Sequence, residues 1–106
     1  TEVESSEQFI ELIEEKDKVI VLDIYAPWCG PCVKLGNYLH DLVEVKGKYN
    51  KIKFLKLNVE NDKCQEVVES FEVSSIPRVI IFKNKNKIKD ITGFNKDELT
   101  NFLDSL

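Results

Sequence analysis

The chain has 106 residues, of which 42% are apolar, which is enough for one domain over residues 1–106 and too little for a second independent core. Its net charge is −4, so it lacks the clustered excess of lysine and arginine that nucleic-acid binding requires. No apolar run approaches the roughly 18 to 20 residues that span a bilayer. We therefore expect a soluble domain with neither a nucleic-acid nor a membrane partner.

Cysteine usage bears on the compartment. Three cysteines are too few for a disulfide-stapled secreted scaffold, and the odd number leaves at least one thiol unpaired within the chain. This favours a reducing compartment and predicts a cytoplasmic location. The sequence opens with Thr1 rather than methionine, so removal of a targeting segment stays open, and with it an organellar or secretory location.

The first half of the chain predicts a helix, a strand and a second helix. Ser5 with Gln8 three residues later has the spacing of a capping box and opens the first helix. Residues 19–26 are β-branched and almost continuously apolar, which is typical of a central strand covered on both faces. Helical spacing of apolar residues then predicts a long helix that starts at Cys29 and ends at Gly47.

The second half predicts a strand, a short helix and a hairpin. Residues 52–59 alternate apolar and polar side chains, as a half-buried strand does. Asp62 is expected to cap a short helix that buries Cys64 on its apolar face. Two further runs, 79–82 and 88–91, flank a polar Lys/Asn turn and read as an antiparallel hairpin.

The last helix completes the predicted architecture. Asn95 with Glu98 forms its cap, and an apolar stripe runs to Leu106. With a short strand near Val3 as an addition, the order αβαβαββα gives a parallel crossover in the first half and an antiparallel hairpin in the second. We predict an α/β fold with a mixed central sheet between helices on both faces.

Two cysteines three residues apart carry the clearest chemical signal. Cys29 lies directly after a buried strand and at the start of a helix, where unpaired backbone amides and the helix dipole favour a thiolate. Cys32 lies on the same helical face, close enough to attack a mixed disulfide formed at Cys29. The pattern therefore predicts thiol-disulfide exchange, with Cys29 as nucleophile and Cys32 as resolving thiol.

A carboxylate inside the apolar strand is the second chemical signal. Burial of Asp23 disfavours its charged form, so its pKa is expected to be raised. A carboxyl group that titrates near neutrality is able to take the proton of Cys32 as that thiol attacks. Lys56, on the neighbouring predicted strand, is a candidate charge partner for Asp23.

The sequence resembles the thioredoxin family over essentially its whole length. The resemblance rests on residues 21–32, which end in Trp-Cys-Gly-Pro-Cys, on 56–59, on Ile76-Pro77 and on Gly93. It implies a thioredoxin fold and a monomeric protein-disulfide reductase that needs no bound cofactor or metal. It also implies that disulfide-containing proteins are the substrates and that an NADPH-dependent thioredoxin reductase supplies the electrons.

The resemblance also assigns site residues. Cys29 and Cys32 correspond to the redox disulfide, Asp23 to the buried acid/base and Lys56 to its neighbour. A cis bond before Pro77 would present the backbone of the preceding residue to an extended substrate segment. The Gly-Pro dipeptide between the cysteines resembles that of reducing members of the family, which favours reduction of substrates. The implied docking surface consists of Trp28, Gly30, Pro31, Ile76, Pro77, Gly93 and Phe94.

Three positions depart from the family's usual pattern. Asn37 stands where the long helix commonly has a kinking proline, so we expect either a straighter helix or a bend around Gly36. Val33 replaces a common basic residue. Arg78 follows the expected cis-proline where threonine is usual, and is expected to bring positive charge close to the substrate groove.

Alternatives to this interpretation stay open. The cysteine pair also has the spacing of half a zinc site. Cys64 and His40 would have to supply the other two ligands, but the spacing of these two residues argues against a zinc site. Cys64 is either an inert buried residue or a regulatory thiol, and His40 an ordinary surface residue. The rival functions are a disulfide oxidant or isomerase in a secretory compartment, and a binding subunit whose dithiol is incidental.

Overall fold

A four-stranded mixed sheet with helices on both faces forms the centre of the molecule. The computed structural model describes residues 1–47, 49 and 51–106, with only the backbone at 44 and 45. The helices are α1 (Ser6–Ile13), α2 (Gly30–His40), α3 (Gln65–Ser70) and α4 (Lys96–Asp104). The strands are β1 (Val19–Tyr25), β2 (Ile52–Asn58), β3 (Arg78–Lys83) and β4 (Asn86–Thr92).

The sheet has the strand order β2-β1-β3-β4. β1 is parallel to β2 and antiparallel to β3, and β3 pairs antiparallel with β4. This arrangement confirms the predicted mixed α/β fold. The expected strand near Val3 is reduced to one parallel bridge between Glu2 and Lys56, on the free edge of β2.

Alternate residues of β1 pack into two different cores, which explains why this strand reads as an almost unbroken apolar run. Ile20, Leu22 and Ile24 belong to a core cluster shared with α1 and α3. Val21 faces the opposite side, where it packs with residues of α2 and α4. Since side chains alternate along a strand, Asp23 lies on the α2 side of the sheet.

Two of the three predicted helix N-caps are confirmed by the structure. Ser5 Oγ accepts from Gln8 N at 3.1 Å, and Asn95 Oδ1 accepts from Glu98 N at 3.1 Å. The prediction that Asp62 caps the third helix is wrong. The N-cap is Asn61, one residue earlier, whose Oδ1 accepts from Lys63 N at 2.9 Å. It opens a 3-10 turn, Asp62–Cys64, that precedes α3.

The long helix changes character near its end rather than at its middle. Its backbone is α-helical without interruption through Gly36 and Asn37 as far as His40. A π-helical turn, Asp41–Val45, follows, in which Lys46 N donates to Asp41 O at 2.9 Å. Gly47 then ends the helix with a φ of 63°, as predicted.

Two predictions at the end of the chain differ from the structure in opposite ways. The hairpin strands are longer than expected, because Asn86 to Thr92 all belong to β4. Leu106 was expected in the apolar stripe of the last helix, but it follows the end of α4 and is 54% exposed. In the part of the chain that the structure describes, no helix has both the length and the apolar character needed to cross a bilayer.

The turn between β3 and β4 gives a test of the fold. Asn84 and Lys85 form it with φ values of 50° and 70°, a left-handed conformation that glycine adopts without a steric penalty. Lys85→Gly is therefore expected to stabilise the protein by about 0.5 kcal/mol in urea unfolding. Lys83→Gly, at the last residue of β3, serves as the control and is expected to destabilise the protein. A loss of stability in Lys85→Gly would contradict this turn geometry.

Candidate active site

Cys29 occupies the N-cap position of α2, immediately beyond the end of β1. Its backbone is extended, with φ −87° and ψ 114°, and its Sγ accepts a hydrogen bond from Cys32 N at 3.2 Å. Pro31 lies in the first helical turn, where no amide hydrogen is needed. The sulfur thus lies at the positive end of the helix dipole, which stabilises negative charge on it.

Cys29 and Cys32 form a disulfide in the structure, with their Cα atoms 5.2 Å apart. Cys32 is 3% exposed and Cys29 is 7% exposed, and both pack with Ala26. The pair therefore has the proximity that intramolecular exchange requires, and Cys29, at the helix N-terminus, is the slightly more exposed residue of the two.

Asp23 is the buried carboxyl group of the site. Its side chain is 1% exposed, and neither carboxylate oxygen has a hydrogen-bond partner among the described residues. Burial raises the pKa of Asp23 to about 7, an effect that Lys56 opposes and Glu2 reinforces. The carboxyl group is thus held near its midpoint at neutral pH, as general acid-base chemistry prefers.

Lys56 lies directly opposite Asp23 in the pairing of β1 with β2, as expected. Its ammonium lies over the ring of Tyr25, 4.6 Å from the ring centroid, and the Tyr25 hydroxyl donates to Glu2 at 2.8 Å. Gly36 of α2 lies beside this ammonium, and a Cβ built at Gly36 would be in ordinary van der Waals contact with Lys56 Nζ, at 3.8 Å. The lysine is therefore held near Asp23 by an aromatic ring, with its charge only partly offsetting the burial of the carboxyl group.

Two neighbouring clefts give the buried groups access to solvent. A cleft of about 370 Å³ between α2 and β2 is lined by Asp23, and one of about 300 Å³ is lined by Cys32. Gly36, His40 and Lys56 line both clefts. Space for water therefore lies beside the carboxyl group and beside the second cysteine, in clefts that share these three residues.

Trp28 forms an exposed platform beside the cysteines. It is 70% exposed, and its indole nitrogen donates to Glu60 Oε2 at 2.9 Å. Val33, the residue after Cys32, is a second exposed apolar side chain, at 51%. No local sequence signal pointed to Glu60, because its contact with Trp28 depends on how β2 ends beside β1.

The Ile76–Pro77 peptide bond is cis, as the resemblance implied. Ile76 packs against the cluster of Ala26, Cys29 and Cys32, which places this segment beside the disulfide. Pro77 O accepts from Gly93 N at 2.8 Å, and Gly93 has a φ of 81°, a value that favours glycine. The three residues 76, 77 and 93 are thereby brought together.

Phe94 differs from the other predicted docking residues. It is half-buried against the α2 and α4 core, and its ring lies 6.0 Å from that of Tyr38. It does not belong to the cysteine cluster, so its contact with substrate stays a prediction. Gly30 and Pro31 are exposed at the start of α2, where a docking role requires them.

Arg78 does not place free positive charge at the groove, which corrects the sequence-based expectation. Its guanidinium forms a bidentate pair with Asp90, in which Nε donates to Oδ1 at 2.9 Å and Nη2 donates to Oδ2 at 2.7 Å. The hydrogen bonds from Arg78 lower the pKa of Asp90 to about 2. The arginine charge is therefore neutralised within the fold.

The third cysteine is fully buried. Cys64 is 0% exposed, its thiol donates to Val3 O at 3.7 Å, and burial raises its pKa. His40 is exposed on α2, as expected. Across the described ranges, no group of three or more His, Cys, Asp or Glu side chains is placed to hold a metal ion. Among the described residues, no side chains are therefore placed to complete a zinc site with the cysteine pair.

Comparison with known proteins gives consistent matches along the chain. A family model described as Thioredoxin matches residues 1–105. Human thioredoxin is 36% identical over 99 residues, which cover 92% of this chain and 90% of that protein. The structure of spinach chloroplast thioredoxin f has a TM-score of 0.88 at 27% identity, covering 99% and 90% of the two chains. Oxidised mitochondrial thioredoxin 3 of Saccharomyces cerevisiae has a TM-score of 0.84 at 29% identity, covering 100% and 94%.

The buried carboxyl group predicts a distinctive pH dependence of stability. The pKa of Asp23 is about 7 in the folded protein and 3.8 ordinarily, so the folded state binds more protons between these values. Stability from this group is therefore lost as pH rises from about 4 to about 7. Asp23→Asn lacks this titration. In urea unfolding of the oxidised protein, its free energy of unfolding relative to that of wild type should therefore rise by up to about 4 kcal/mol over that pH range.

Asp90→Asn provides a control of opposite sign. The pKa of Asp90 is lowered, so this carboxylate contributes stability above its unfolded pKa that is lost as pH falls toward about 2. The difference between wild type and Asp90→Asn should shrink in acid and stay constant above about pH 5. Parallel stability curves for wild type and Asp23→Asn between pH 4 and pH 8 would refute the assignment of Asp23.

Proposed function

The chain belongs to the thioredoxin family, and on this premise we propose that Cys29 and Cys32 act together as a dithiol reductant of protein disulfides. Membership makes the protein a thiol-disulfide oxidoreductase, with disulfide-containing substrates and reductases as its general classes of partner. The observation that carries the proposal is the Cys29 sulfur at the N-cap of α2, with Cys32 one helical turn away. The direction of electron flow and the role of each residue are our inference.

The first step is attack by the Cys29 thiolate on one sulfur of a substrate disulfide. A bond forms between Cys29 Sγ and that sulfur, the substrate S–S bond breaks, and the other substrate sulfur leaves as a thiolate. The amide of Cys32 and the N-terminus of α2 stabilise Cys29 as an anion before this step. No cofactor takes part in the exchange.

The second step resolves the mixed disulfide. The Asp23 carboxylate takes the proton of Cys32 through the water-sized space of the two clefts. The Cys32 thiolate attacks Cys29 Sγ, which forms the Cys29–Cys32 disulfide and releases the second substrate thiolate. Two electrons have then passed from the dithiol to the substrate. Lys56 limits how far the Asp23 pKa rises and so keeps its carboxylate available.

The substrate is proposed to dock as an extended segment across an apolar surface around the disulfide. Trp28 and Val33 are exposed on it, and Ile76 presents its backbone beside the cysteines. Gly30 and Pro31 add no bulk in front of Cys29, and Gly93 allows close approach. Phe94 borders this surface from the α4 side.

We also propose an NADPH-dependent thioredoxin reductase as the electron donor. The same exposed surface that accepts a substrate disulfide is available for a reductase dithiol, since both exchanges pass through Cys29. Coupled NADPH oxidation in the presence of such a reductase and insulin measures this step. Reduction by glutathione alone, with no response to the reductase, would exclude this donor.

We propose that the protein is a monomeric single domain and that it resides in the cytoplasm. The free, fully buried thiol of Cys64 is compatible with a reducing compartment. Fractionation of cells that express the natural gene, with an antibody to this chain, tests the compartment. Light scattering after gel filtration of the reduced protein tests the monomeric state.

Three matched serine variants test the assignment of the cysteines. Cys29→Ser is expected to lower insulin reduction with dithiothreitol to the uncatalysed rate, because the nucleophile is lost. Cys32→Ser should still attack but should accumulate a mixed disulfide with substrate, visible by mass spectrometry. Cys64→Ser, which removes a buried thiol away from the pair, should keep activity within about twofold of wild type.

The outcome that overturns this scheme is an exchange of roles. If Cys29→Ser trapped the adduct and Cys32→Ser did not, Cys32 would be the nucleophile. A dithiol more oxidising than glutathione, measured in a glutathione redox buffer, would overturn the proposed direction of electron flow.

A further inference from the structure

Arg78 connects three parts of the fold around the loop that carries the cis-proline. It is the first residue of β3 and follows Pro77 directly. Besides its two hydrogen bonds to Asp90 of β4, its Nη1 donates to the carbonyl oxygen of Phe71, the C-cap residue that follows α3. The guanidinium thereby joins the residue after the loop to the residue before it.

The loop between these two residues has little other backbone support. Glu72 and Val73 donate to carbonyls of α3, but residues 74–76 form no backbone hydrogen bond with any residue placed by the structure. Ser74 and Ser75 are exposed, Val73 and Ile76 pack partly buried against the core, and Pro77 is buried. Pro77, which lacks an amide hydrogen, is held through its carbonyl by Gly93. Arg78 therefore supplies the polar contact that closes this loop.

The contact is well suited to fix a position. The Arg78 side chain is 16% exposed, and a planar guanidinium with two forked bonds allows one orientation relative to Asp90. Lys87 also binds Asp90, at 3.1 Å, through the same oxygen, Oδ2, that accepts from Arg78 Nη2. An ammonium in place of the guanidinium is unable to reach both Asp90 oxygens and Phe71 at once.

We propose that Arg78 is a positioning residue that holds the backbone of Ile76 in place for docking of a protein substrate. The inference rests on the proposed function, since it needs the Ile76 segment to bind substrate. A preorganised loop loses less conformational freedom on binding an extended peptide, so its effect falls on binding rather than on the sulfur exchange. A small disulfide that does not use the loop is therefore unaffected.

The test compares Arg78→Gln with wild type on two substrates. With insulin, KM should rise about fivefold to thirtyfold, while kcat should stay within about twofold. With a small aromatic disulfide such as dithiobis(nitrobenzoate), the rate should stay within about twofold of wild type. Arg78→Lys should recover only part of the insulin affinity. Backbone NMR order parameters of Ser75 and Ile76 should fall in Arg78→Gln.

Lys89→Gln is the matched control. Lys89 is the neighbour of Asp90 in β4 and pairs with Glu98 of α4 at 3.1 Å, on the other face of the sheet from the loop. Its loss should leave both substrates and the loop order parameters unchanged. If Arg78→Gln does not fold, Asp90→Asn takes its place, because it weakens the forked bonds and leaves Arg78 intact.

The results that overturn the proposal are distinct from those that overturn the function. Equal losses on insulin and on the small disulfide, unchanged order parameters, or no change in KM for insulin would each show that Arg78 has no positioning role. If wild-type protein failed to reduce insulin, or did so without Cys29, the proposed function itself would fail. The order parameters report on the loop in either case.

Discussion

The contact between the Cys29 sulfur and the start of α2 is the interaction on which the rest of the site depends. β1 delivers Cys29 to the helix N-terminus, and the amide of Cys32 donates to its sulfur. The same turn brings the two cysteines close enough to pair. We propose that the other features of the site either exchange protons with this pair or shape the surface in front of it.

Asp23 and Asp90 are two carboxyl groups in opposite electrostatic environments. Asp23 is left without a hydrogen-bond partner among the described side chains and backbone, and burial raises its pKa to about 7. Asp90 has forked contacts from Arg78, which lower its pKa. The unpartnered carboxyl group is able to exchange a proton at neutral pH, whereas the paired one is fixed in its charged form and serves the loop that carries Ile76.

Much of this arrangement follows from local sequence patterns. The cysteine spacing, the aspartate inside an apolar strand and the caps at Ser5 and Asn95 each depend on residues close together in the chain, and each was predicted correctly. Contacts between distant segments were not predictable in this way. The pairing of Arg78 with Asp90, the bond from Trp28 to Glu60 and the ring beneath Lys56 require the register of the sheet, which periodicity alone does not define.

Alkylation of the reduced protein by iodoacetamide tests the central claim most directly. If the N-terminus of α2 holds Cys29 as an anion, Cys29 reacts at about pH 6 much faster than it does in the unfolded chain, and Cys32 and Cys64 do not. Peptide mass mapping at several pH values identifies the modified residue. Equal reactivity of Cys29 in the folded and unfolded chains across this pH range would contradict the account.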